Sequence, residues 1–145
     1  MFVENLQETL NLGKKLSQKL NPLSIVLLEG PIGAGKTSFV QGIAEGLSIS
    51  DDITSPTFAL SHHYNSGKIP LIHLDLYRLE NSSSAKEVFF SEEEEALQSK
   101  AVLVIEWPEL IEPIIKDFWK IEISYAKNYG RNYLIRDPKN LLTFS

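Results

Sequence analysis

The chain has 145 residues, of which 43% are hydrophobic and 23% charged, with 8 Gly and 7 Pro. These values suit a single core and exclude wholesale disorder, collagen-like repeats and low-complexity scaffolds. The absence of cysteine removes disulfide frameworks, thiolate metal sites and a cysteine nucleophile, and the net charge of −5 opposes non-specific binding to phosphate backbones.

Leu6, Leu10, Leu16 and Leu20 recur near a helical period behind Asn5 and Glu8, a pair that resembles a capping box, so the spacing predicts a first helix ending at Asn21-Pro22. Residues 24–29 form a short apolar run expected of a strand buried on both faces. A helix from Lys36 to about Gly46 follows, with Phe39, Val40, Ile43, Ala44 and Leu47 on one stripe. Residues 48–56 read as a loop. Thr57 to Tyr64 and Ile69 to Asp75 predict an antiparallel hairpin through Asn65-Ser66-Gly67-Lys68. Ser82 to about Gln98 reads as a helix whose Glu92–Glu95 run is a solvated face. Ala101 to Ile105 is a second fully apolar strand, followed by a short helix around residues 109–115. Phe118 to Tyr125 and Arg131 to Ile135 then flank Asn128-Tyr129-Gly130 as another hairpin.

Helices alternating with strands that end in hairpins predict an α/β chain: a single domain over residues 1–145, built as a three-layer sandwich with a mixed central sheet. The charge is uneven along it. Residues 80–112 hold nine acids against two bases, and residues 116–145 six bases against three acids, so faces of opposite sign are expected. No apolar run approaches the roughly 18–20 residues of a membrane span, and the N-terminal segment lacks a signal-peptide layout, so a soluble cytoplasmic protein is expected.

Residues 30–37, Gly-Pro-Ile-Gly-Ala-Gly-Lys-Thr, fulfil G-x-x-x-x-G-K-[ST] between an apolar strand and a helix, so the expected three-layer sandwich is P-loop NTPase-like. In such a loop the backbone N–H groups converge on phosphate oxygens, the lysine reaches the β- and γ-phosphates, and the threonine hydroxyl binds Mg²⁺. An acid at the end of a neighbouring strand is then needed for the cation, and Asp75 and Glu106 both stand at such ends. No Asn/Thr-Lys-x-Asp guanine-reading motif is present, which favours ATP over GTP. The histidines lack the spacing of metal ligands. His73 is expected to hydrogen-bond Asp75, and Trp107 is open between a core aromatic and a residue that shapes the nucleotide or partner surface.

Taken together, Thr9-x-x-Leu12-Gly13, the phosphate loop, Ser55-Pro56-Thr57-Phe58, His73-x-Asp75-x-Tyr77-Arg78-Leu79 and Glu106-Trp107-Pro108 resemble the bacterial TsaE family, ATPases that assist tRNA threonylcarbamoyladenosine synthesis; Gly130-Arg131 extends the likeness. The resemblance implies that Ile32, Gly33, Ala34, Gly35, Lys36 and Thr37 bind ATP phosphates, and that Thr37 and Glu106 hold Mg²⁺. It makes Asp75, Glu106 and Thr57 the catalytic residues, with Asp75 orienting water or completing the metal shell and Thr57 acting as a switch threonine that senses the γ-phosphate. Base-side contacts would fall near Leu6 and Gly130. The implied activity is an Mg²⁺-dependent ATPase working as a nucleotide switch, slow alone and activated by threonylcarbamoyl-transferase proteins of the TsaD and TsaB type, with tRNA reached only through them and no membrane involved. A small P-loop kinase is an alternative, weakened because the chain has only three arginines. A non-hydrolysing ATP-binding assembly module is another. One departure stands out: relatives carry Glu-x-x-x-Leu-Gly after Tyr-Arg-Leu, where this chain has Glu87-Val88-Phe89-Phe90-Ser91.

Overall fold

The computed structural model describes residues 1–56 and 60–144. In chain order the elements are β1 (Phe2–Val3), α1 (Leu6–Ser17), β2 (Ile25–Glu29), α2 (Lys36–Gly46), β3 (Ser61–Tyr64), β4 (Leu71–Asp75), α3 (Ser82–Ser99), β5 (Val102–Glu106), β6 (Trp119–Tyr125), β7 (Arg131–Arg136) and β8 (Leu142–Thr143). The strands form one mixed sheet in the order β1-β7-β6-β2-β5-β4-β3, with β8 also paired to β7. β6, β2, β5 and β4 are mutually parallel, and the hairpins close both sides with antiparallel strands.

Alternation along the parallel strands divides the core into two layers. Val26, Leu28, Val102 and Val104 face Leu12 and Leu16 of α1 and Phe39, Val40 and Ile43 of α2. Leu27, Leu103 and Ile105 face Ala85, Phe89 and Ala96 of α3. The near-continuous apolar runs read in the sequence are thus strands buried on both faces, and the three-layer sandwich expected from them is the observed architecture.

Several boundaries differ from expectation. α1 stops at Ser17, and Leu6 is 61% exposed because its position falls outside the buried stripe of Leu12 and Leu16. The Asn5 side chain accepts from the Glu8 N–H at 2.9 Å, but the Glu8 carboxylate returns to the Glu4 N–H and not to Asn5. The helix expected near residues 109–115 is only a 3-10 turn at Glu112–Ile114. β1 and β8 have two residues each, too few to leave a periodic signal. Thr57, the start of the expected first hairpin strand, lies outside the described residues. Glu92 is not solvated: its carboxylate accepts from Ser61 Oγ at 2.8 Å and bonds His63 Nε2 at 2.7 Å, tying α3 to β3.

The Thr9-x-x-Leu12-Gly13 pattern has a packing explanation. α1 crosses α2 with Gly13 against Gly42; a Cβ on Gly13 would lie 2.5 Å from the Phe39 carbonyl oxygen and 2.9 Å from Gly42 Cα, and one on Gly42 would collide with the Leu10 carbonyl oxygen. Both obstacles are backbone, so neither can yield as a side chain would. Gly42→Val should therefore lower stability by about 1–3 kcal/mol, the range of overpacking, seen as a lower urea midpoint. Lys14→Ala, which removes only the exposed Lys14–Glu45 pair at 3.1 Å, should cost under about 1 kcal/mol in the same measurement.

Candidate nucleotide and cation site

The loop from Gly30 to Gly35 leaves the buried end of β2 and enters α2, with Gly33 (φ 82°) and Gly35 (φ 95°) in the left-handed region that lets the chain curl. α2 begins without a side-chain cap and without an acid in its first turn, so its leading N–H groups and positive dipole end are offered to an anion. Lys36 is only 7% exposed, and its ammonium donates to the carbonyls of Gly30 at 2.5 Å and Pro31 at 3.1 Å. Its Nζ also lies 4.2 Å from the centroid of the Trp107 ring. Burial pulls the Lys36 ammonium down from its ordinary pKa, and the charges of Glu106, Asp75 and Glu109 counter part of that shift.

The carboxylates arrive from the neighbouring strands. In register, Leu28 of β2 lies beside Glu106, and Glu106 lies beside Asp75. Asp75 and Glu106 continue the alternation of Leu71 and of Val102 and Val104, which face α1 and α2, so both side chains fall on the side of the phosphate loop. Asp75 Oδ1 accepts from the Tyr77 N–H at 2.9 Å, and Oδ2 accepts from Ser55 Oγ at 3.4 Å. Burial pushes its pKa up from the ordinary carboxylate value; the Tyr77 N–H opposes this and the neighbouring Glu106 adds to it. His73 does not bond Asp75 as expected. Its Nε2 lies 2.5 Å from Glu106 Oε2, on the adjacent strand, because the parallel register sets Glu106 within reach of a residue two positions before Asp75.

Lys36, Thr37, Asp75 and Glu106 together line a cleft of about 410 Å³ with Ile32, Gly33, Gly35, Ser38, Ser55, Tyr77 and Trp107. Trp107 stands in the wall of that cleft, its ring 4.9 Å from that of Tyr77, so it is not a core aromatic. A second cleft of about 190 Å³ adjoins the first through Gly35 and Ser38 and is lined by Leu6, Ala34, Thr9, Tyr129 and Arg131, among others. The structure thus sorts the sequence candidates into two adjoining groups. Gly130 lines neither cleft: a Cβ there would strike the Phe2 ring, so the glycine permits β1 to pass. Thr57 lies outside the described residues.

The hairpin of β6 and β7 holds the loop from the other side. Tyr125 donates its hydroxyl to the Ile32 carbonyl at 2.6 Å, and Arg131 donates to the carbonyls of Gly33 and Ala34, each at 3.2 Å, with its guanidinium 4.7 Å from the Tyr125 ring centroid. Sequence reasoning did not assign these two residues a role. Their partners in the loop are backbone carbonyls more than ninety positions away, and only the Gly130-Arg131 likeness hinted at them.

Among the described residues no cluster of three or more His, Cys, Asp or Glu could cage a metal. The hydroxyl of Thr37 and the carboxylates of Asp75 and Glu106 are all hard oxygen donors, which fits Mg²⁺ held by one or two carboxylates together with substrate phosphates.

The raised pKa of Asp75 sets a sign. A carboxyl whose folded pKa exceeds the unfolded value binds its proton more readily when folded, so its contribution to stability falls as pH rises through the window between the two values. Asp75→Asn should accordingly raise the melting temperature at neutral pH, and this advantage should shrink as pH drops through the carboxylate range. Thermal melts of both proteins across that range test it, and an Asn variant that melts lower than wild type at neutral pH contradicts it.

Residues 3–133 match the family described as threonylcarbamoyl adenosine biosynthesis protein TsaE. The tRNA threonylcarbamoyladenosine biosynthesis protein TsaE of Nostoc sp. is 40% identical over 135 residues, covering 93% of this chain and 76% of the relative. The protein of the same name from Bacillus subtilis is 39% identical over 108 residues, covering 74% and 65%. Among solved structures, the crystal structure of YdiB from B. subtilis superposes with a TM-score of 0.74 at 30% identity, covering 92% of this chain and 80% of that one. Across both the sequence and the fold, then, this chain belongs to the TsaE family.

Proposed function

We propose that the chain is an Mg²⁺-dependent ATPase that acts as a nucleotide switch in making threonylcarbamoyladenosine in tRNA. The observation that carries the reading is the alignment of Asp75 and Glu106 at the ends of adjacent strands, in one cleft with Lys36 and Thr37. Membership of the TsaE family supports the tRNA pathway. The absence of a guanine-reading motif favours ATP.

In this reading the triphosphate lies along the amides of residues 32–37, and the base lies toward the cleft of Leu6, Tyr129 and Arg131. Lys36 shifts from the Gly30 and Pro31 carbonyls to the β- and γ-phosphates. Thr37 and Glu106 hold the Mg²⁺, which when bound neutralises charge on those phosphates. Asp75, held by the Tyr77 N–H and the Ser55 hydroxyl, orients the attacking water, and Thr57 senses the γ-phosphate. The three arginines of the chain include Arg131, already engaged with phosphate-loop carbonyls, and no guanidinium is among the described residues that line the 410 Å³ cleft. Turnover should therefore be slow until partners of the TsaD and TsaB type complete or order the site, and tRNA is met only through them.

At a ligand concentration a hundredfold above its Kd, Mg-ATP should stabilise the fold by about 2.7 kcal/mol. Lys36→Ala should abolish most of that gain while melting near the wild-type temperature without ligand, since among the described residues its ammonium contacts loop carbonyls and the Trp107 face. Phosphate release should be slow for the chain alone and rise when the partner proteins are added; equal and fast release in both cases contradicts a partner-gated switch, and transfer of phosphate to an organic acceptor contradicts hydrolysis.

A further inference from the structure

The pair formed by His73 and Glu106 is the most deeply buried polar contact at the site. His73 is 0% exposed and Glu106 3%, and no hydrogen bond other than the 2.5 Å contact between His73 Nε2 and Glu106 Oε2 engages the Glu106 carboxylate among the described residues. A carboxylate can only accept, so His73 donates from Nε2. His73 Nδ1 meets no partner. A buried ring with one nitrogen left unsatisfied is costly, and an apolar residue would fill the same space without that penalty. Among the described residues the ring's one hydrogen bond is to the carboxylate, and the carboxylate sits at the end of β5 in the cleft wall.

We propose that His73 is a positioning residue for the cation site: its Nε2–H pins one oxygen of Glu106 and fixes the carboxylate so that Oε1 is the oxygen turned to the ion. The inference rests on the reading of Glu106 as an Mg²⁺ ligand and adds the residue that orients it. A carboxylate with a 4% exposed side chain has little water to hold it in place, and Lys36 is occupied by the Gly30 and Pro31 carbonyls and forms no ion pair with it among the described residues. Among the described residues His73 is the one group that hydrogen-bonds the carboxylate and so defines its rotamer. The strand register makes this possible, since His73 lies beside Val104 and thus reaches diagonally to Glu106 two residues on.

The test compares His73→Gln, whose amide N–H replaces Nε2–H, with His73→Asn, whose shorter side chain cannot reach Glu106, and with His73→Leu. Mn²⁺ affinity is measured by electron paramagnetic resonance with a non-hydrolysable ATP analogue bound, nucleotide affinity is measured by calorimetry in chelator without divalent ion, and thermal melts report folding. His73→Leu and His73→Asn should weaken Mn²⁺ binding about 10–100-fold, the usual effect of removing a hydrogen bond that orients a metal ligand, with metal-free nucleotide affinity unchanged, and His73→Gln should recover most of the loss. If His73→Leu fails to fold, the comparison of Gln with Asn decides. Wild-type Mn²⁺ affinity in a folded Asn or Leu variant overturns the role of His73, as does an equal loss in Gln and Asn. A wild-type protein that binds the nucleotide with no contribution from Mn²⁺ overturns the cation reading of Glu106 itself, and is recognised by its appearing before any variant is made.

Discussion

Two nearly buried groups of opposite charge line one cleft of this protein without forming an ion pair among the described residues. Lys36 is bound by two carbonyls of its own loop, and Glu106 is bound by His73. Ionised groups removed from water need partners, and a direct Lys36–Glu106 pair would satisfy both while closing the site. Separate partners instead stabilise each charge in place and leave the space between them as cleft. The curl of the loop, the register of β2, β5 and β4, and the diagonal reach of His73 all serve that separation.

The loop is not held by the central sheet alone. Tyr125 and Arg131, from the hairpin of β6 and β7, grip three consecutive loop carbonyls at Ile32, Gly33 and Ala34. That grip turns the carbonyls outward to the hairpin, while the Ala34 N–H closes a turn onto the Pro31 carbonyl at 3.1 Å and the Ile32 and Gly33 N–H groups meet no backbone acceptor among the described residues. β1 pairs with β7 at Phe2↔Asn132 and Val3↔Arg131, so the first residues of the chain brace the strand that braces the loop. The narrower cleft is assembled from this same junction, with Leu6 at the start of α1 and Tyr129 and Arg131 at the hairpin.

On the opposite face of the sheet, α3 is a continuous 18-residue helix from an Asn81 cap to Lys100, whose left-handed φ of 59° ends it. The missing glycine after Glu87 is consistent with that continuity, since nothing at Phe90 or Ser91 interrupts the helix. Glu92, in the middle of the acidic run, is drawn down onto Ser61 and His63 of β3. The helix is thereby fixed to the hairpin whose other strand, β4, ends in Asp75. No helix of the described residues is long and apolar enough to cross a membrane.

Local chemistry made much of this legible in the amino-acid order. The apolar runs before Gly30 and at 101–105, the glycines and lysine of the loop, and the acids closing β4 and β5 each carry their signal within a few residues, because strand burial, left-handed turns and phosphate cradling are short-range requirements. The sequence likewise identified the family through motifs lying in order along the chain. What only the tertiary structure decided is who meets whom across the sheet. His73 was set against Glu106 and not Asp75, Glu92 against β3 and not solvent, Gly13 against Gly42, and Tyr125 and Arg131 against the loop, since each of these pairings depends on register and helix crossing, which couple positions from roughly 30 to nearly 100 residues apart and leave no periodic trace in either partner.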